Sequence, residues 1–133
     1  MRTVSTASAQ LAGTDFLTRI SAGSHQFLAD EPVAVGGQDA GPSPDDYLLA
    51  ALASCTLITL RMYAQRKGWA LGALDVQVTL KKDDEKRSHI ARELSSSAEL
   101  SDEQWQKLLE IAAKTPVTLT LSRGAAITTQ RGG

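Results

Sequence analysis

The chain has 133 residues, 42% of them apolar and 22% charged, with a formal net charge of −1 at pH 7. That length suits one domain with one core, or a protomer that borrows core from a partner. The charge balance, with Lys and Arg dispersed apart from short clusters, leaves no electrostatic footprint for nucleic acid or an anionic membrane.

One cysteine, Cys55, rules out an intrachain disulfide and a cysteine-rich zinc site. The only histidines, His25 and His89, are far apart, so no metal or other cofactor is expected. The first sixteen residues lack the continuous apolar core of a secretory signal. The longest apolar run, residues 47–53, falls far short of the ~20 residues that span a bilayer. A soluble cytoplasmic protein with no membrane partner is the expectation.

In chain order, residues 3–11 and 14–21 are rich in Thr, Ser and β-branched side chains, and Ala12-Gly13 between them reads as a hairpin turn. A third strand is expected over 24–30, closed by Pro32, which cannot donate to a ladder. Residues 31–43 carry three glycines and two prolines and read as a loop. Its "GGQDAG" lacks the strand-to-helix spacing of a phosphate loop, and its glycines fit a tight path into the next element.

Ser43 is placed as an N-cap, Pro44 at N1 loses no bond, and Asp45 and Asp46 favour the positive end of the helix. Nothing breaks that helix before Gly68, with Arg66 and Lys67 in its last turn. The 24 residues from Pro44 to Lys67 span about 36 Å. From Tyr47 to Ile58 the helix is apolar on nearly every side, which marks a buried helix. A chain this short has little material to wrap it, so a second protomer is expected to cover part of it.

Residues 73–82 alternate cleanly, with Leu74, Val76, Val78 and Leu80 on one face, and 88–100 form the partner strand. The charged run between them, 81–87, is a solvated turn. Ser101 caps a second helix over 102–114, with Trp105, Leu108, Leu109 and Ala112 at helical spacing. Residues 115–124 read equally as a short helix or an extended piece, and 125–130 as a closing strand. Three strands, a long helix, two strands, a helix and a strand make one α+β domain.

Cys55 reads two ways. Free cysteine in an apolar helix is commonly a small packing residue. A reactive one needs a cation or a helix N-terminus, and access to solvent. Cys55 stands ten residues beyond Asp45, too deep for its own helix end to help. Its same-face neighbours Leu48, Ala51, Leu52, Ile58 and Thr59 are uncharged, though Thr59 offers a hydroxyl. Any activating cation has to come from elsewhere in the fold.

The stretch "GGQDAGPSPDDYLLAALASCTLITLRMYAQRKG", residues 36–68, resembles the signature of the OsmC/Ohr family. The likeness lies in a Gly-rich loop, a Gly-Pro-x-Pro approach with an acidic residue, and a small-residue–Cys step about ten residues later. "HQFLADEP", "RKGW" and "KTPV" echo the same pattern. The resemblance implies an intertwined homodimer with the long helices at its centre and two sites at the subunit interface. It also implies a peroxidatic cysteine that reduces organic hydroperoxides or hydrogen peroxide and is resolved by a second cysteine.

On that resemblance Cys55 is the nucleophile, and Asp45 matches an acidic residue that holds an arginine against the thiolate. Arg19, on the N-terminal strands, is the candidate arginine. Thr115 stands where the family has its second cysteine, so an external thiol would have to resolve the oxidised sulfur. Leu52 and Ile58 would receive the alkyl part of a hydroperoxide. The plainer readings are a helix-end charge for Asp45, a solvated strand residue for Arg19, a helix cap for Thr115, a surface histidine for His25, and packing for Trp69 and Trp105. A non-catalytic dimer that binds a small hydrophobic or thiol-reactive molecule in the interfacial cleft stays open as the alternative function.

Overall fold

A computed structural model describes all 133 residues. The chain divides into two compact units, Met1–Leu48 and Leu49–Gly133. In the first, β1 (Ala7–Leu11), β2 (Thr18–Ala22) and β3 (His25–Ala29) form an antiparallel meander in the order β1-β2-β3. The strands are shorter than the sequence pattern predicts. The first turn is correspondingly longer: Ala12 N–H donates to the Leu17 carbonyl and Leu17 N–H to the Thr14 carbonyl. The second is a two-residue turn at Gly23-Ser24, with Gly23 at φ +59° and Ala22 paired with His25.

The loop that follows is pinned by Asp30. Its Oδ1 accepts from Glu31 N–H at 2.8 Å, and its Oδ2 accepts from Gln38 and Ala40 N–H at 3.1 and 3.2 Å. Burial alone would raise the Asp30 pKa, but these three backbone donors outweigh it and hold the carboxyl below its ordinary value. A Cβ on Gly37 would lie 1.9 Å from the Glu31 carbonyl oxygen, so only glycine permits this fold of the loop. A 3₁₀ turn, Val33–Val35, lies within it.

Helix α1 runs Pro44–Lys67, as the cap residues predict. Ser43 and Asp46 cap each other reciprocally: Asp46 N–H donates to Ser43 Oγ and Ser43 N–H to Asp46 Oδ2. Tyr47 packs its ring against Phe27 and donates its hydroxyl to the Leu28 carbonyl. By length and composition α1 would suffice to cross a membrane. Here it is a core helix: Leu52, Thr56, Leu60 and Ala64, four apart, are its buried stripe.

In the second unit, β4 (Leu74–Lys82) and β5 (Ser88–Ser96) form an antiparallel ribbon. Helix α2 (Asp102–Ala112) starts at a Ser101–Gln104 capping box. Helix α3 (Pro116–Arg123) resolves the ambiguous stretch, with Thr115 as N-cap and Pro116 at N1. Leu60, Ala64, Leu71 and Leu108 make the core, with Trp69 and Trp105 packed on it as expected. The expected closing strand does not form: 125–130 pair with nothing. Its one large apolar residue, Ile127, is exposed, so no buried face drives it onto a ladder.

Candidate functional site

Cys55 sits on α1 one residue before the buried Thr56 and is itself half-buried. Its Sγ lies 4.0 Å from the Thr59 hydroxyl, the neighbour one turn on. Leu52 beside it is buried, whereas Ile58 is 55% exposed. The thiol therefore borders an apolar stripe without being sealed inside it.

An arginine reaches this stretch of α1 from β5. Ile90, Arg92, Leu94 and Ser96 are the less exposed positions of that strand, and Arg92 stands opposite Val78 of β4. One terminal nitrogen, Nη1, donates to Thr56 Oγ1 at 3.0 Å and to Thr118 Oγ1 at 2.8 Å. Burial lowers the guanidinium's pKa, and the charge of Cys55 acts in the opposite direction. Arg92 forms no ion pair: those in the chain involve Arg87, His89 and Lys107. The result is a half-buried arginine, without a carboxylate, bonded to the residue that follows the only thiol in the chain.

Sequence reasoning passed over Arg92. Its signal was a charge at an inward position of an alternating strand, midway between Ile90 and Leu94. A buried-facing arginine that interrupts such a face asks for a partner.

Thr115 is fully buried. Its hydroxyl lies 2.6 Å from that of Thr118 and also accepts from Thr118 N–H as the cap of α3. The predicted cap role is therefore realised. Arg19 is exposed on β2, opposite Gln10 and Leu28, in a shallow polar depression with Ser8, Gln10 and Ser21. Asp45 is exposed in the first turn of α1, where Asp46 is the carboxylate that joins the cap. Arg19 and Asp45 form no ion pair with each other in the chain. His25 is exposed at the start of β3. No cluster of metal-ligating side chains is present.

A family model described as OsmC-like protein matches residues 36–130, most of the chain and all of the residues around Cys55. The chain belongs to the OsmC-like family. Solved structures give the same fold. An OsmC-like protein from Mycoplasma pneumoniae is 20% identical with a TM-score of 0.72, over 92% of this chain and 89% of that one. An organic hydroperoxide resistance protein OsmC from Legionella pneumophila is 17% identical with a TM-score of 0.67, over 90% and 89%. The organic hydroperoxide resistance protein OhrB of Bacillus subtilis is 22% identical with a TM-score of 0.61, over 92% of each chain. No curated protein matches. The expected OsmC/Ohr membership and α+β fold are borne out, and Cys55 and Thr115 both lie within the OsmC-like match.

Proposed function

We propose that this OsmC-like chain is a thiol-dependent hydroperoxide reductase with Cys55 as its one active cysteine. The observation that carries the reading is the half-buried Cys55 thiol next in the chain to Thr56, whose hydroxyl accepts from Arg92, an arginine with no carboxylate of its own. The relatives named for organic hydroperoxide resistance support the substrate class.

In the proposed reaction the Cys55 thiolate attacks the outer peroxide oxygen. An S–O bond forms, the O–O bond breaks, and the alkoxide takes up a proton and leaves as an alcohol. Sulfur is oxidised to sulfenic acid and the peroxide is reduced by two electrons. An external thiol then attacks the sulfenic sulfur, releases water and forms a mixed disulfide, which a second thiol reduces. The external thiol is required because Thr115 has no sulfur.

Arg92, bonded to Thr56 next to Cys55 in the chain, is the cation assigned to the reaction within the second unit. Arg19 is the candidate on the N-terminal strands for an arginine that orients the peroxide, and Asp45 the candidate carboxylate that holds this arginine. Two chains associate through α1, whose exposed Ile58 and Met62 support a homodimer.

The test is consumption of an organic hydroperoxide with a dithiol reductant. Cys55→Ser is expected to abolish it. Unchanged consumption would overturn the reading and leave the binding-dimer alternative. Arg92→Met, Arg19→Ala and Asp45→Asn are expected to slow turnover with the fold intact.

A further inference from the structure

Arg92 is held by its neighbours in a way that accounts for every proton on one nitrogen. The two Nη1 hydrogens go to Thr56 Oγ1 and Thr118 Oγ1. Each hydroxyl then passes its own proton to a helix carbonyl: Thr56 to Leu52 at 2.6 Å and Thr118 to Ala112 at 3.2 Å. With that proton spent, the 2.6 Å contact between the two threonine hydroxyls is one that Thr115 donates and Thr118 accepts. No buried side-chain polar atom is left without a partner. The guanidinium is thus fixed by one nitrogen between α1 and α3, while Nε and Nη2 have no acceptor in the chain.

We propose that Thr118 and Thr115 are positioning residues for the chemistry of Cys55, holding Arg92 by Nη1 against Thr56, the residue next to Cys55, with its remaining N–H groups unpaired in the chain. The inference rests on the reading of Cys55 as the peroxidatic residue. The residue at the position of the second cysteine then acts through the arginine instead of through sulfur. The hydroxyl of Thr115 orients that of Thr118, and Thr118 orients the guanidinium. A long arginine side chain without such a clamp spreads over many rotamers, and misplacement by a fraction of an ångström to an ångström is enough to slow a positioned reaction.

The test uses the full chain, reduced and without a thiol reductant, so that one oxidation of Cys55 is observed. Thr118→Val, Thr118→Ser and Thr115→Val are compared with the unsubstituted protein. Sulfenic acid formed with cumene hydroperoxide is trapped and counted, and Cys55 alkylation by iodoacetamide is timed in parallel. Thr118→Val is expected to slow both reactions by about tenfold, Thr115→Val to slow them less, and Thr118→Ser, which keeps the hydroxyl, to restore the rate. A merely structural role would not give that recovery. Rates within twofold for folded Thr118→Val and Thr118→Ser alike would overturn the proposal. If Thr118→Val does not fold, Thr115→Val against its serine counterpart decides in the same way. Should the unsubstituted protein react with peroxide no faster than free cysteine, the peroxidase reading fails. The alkylation rates then judge the clamp alone, the same ordering supporting it and equal rates overturning it.

Discussion

Thr56 offers a way to separate the stability of the second unit from the alignment of its arginine. The side chain is fully buried, donates to the Leu52 carbonyl at 2.6 Å, and accepts from Arg92 at 3.0 Å. Thr56→Val keeps the shape and removes both bonds. The Leu52 carbonyl loses little, since the helix backbone still supplies it a donor. A charge-assisted bond is worth about 1.5–3 kcal/mol when well buried. Arg92 is only half-buried, so water recovers part of that, and the added methyl contributes about 0.8 kcal/mol in the other direction. The net loss is about 1 kcal/mol. Thr56→Ser keeps both bonds and removes a buried methyl, which also costs about 1 kcal/mol. Both variants should therefore melt about 3–5 °C below the parent in calorimetry. Their Cys55 oxidation rates should nevertheless differ, with Val slower by about fivefold or more and Ser within about twofold. Equal slowing in the two variants, tracking their equal destabilisation, would refute the assignment of Thr56 as an anchor for Arg92.

Sedimentation at micromolar concentration is expected to show two associated chains, and Ile58→Asp with Met62→Asp to shift the protein toward monomers, because charge on that exposed apolar side of α1 opposes burial. Acid stability provides a further expectation. His89, followed by the Arg87 N–H, holds the Asp83 carboxyl below its ordinary value. The unfolded chain then binds the proton more readily, so this stabilisation is present above about pH 4 and is lost as pH falls through the lower folded value. Asp83→Asn should flatten the fall of the urea midpoint below about pH 4, and an unchanged acid limb would contradict this.

Local chemistry made α1 legible in advance. Ser43, Pro44, Asp46 and Gly68 act within one turn of the residues they cap, so their roles need no distant partner. The same locality made Thr115 readable as a cap. The segment 125–130 shows the opposite case. "AAITTQ" has the composition of a strand, but a strand exists only where a ladder or a buried face receives it, and neither does so here.

Asp30 and Arg92 were missed for a related reason. A buried carboxylate that serves three backbone donors looks in sequence like any loop aspartate. An arginine on a strand looks solvated until its face is known.

The amino-acid order on its own determined the helix that carries Cys55, the pattern that marks its family, and the lack of a second cysteine, because spacing, caps and composition act at short range. Which cation is bonded to the helix that carries the thiol was decided only when β5 met α1 and α3. Arg92 and Thr56 are 36 residues apart, and an interaction across that distance comes into being only when packing closes the loop between them.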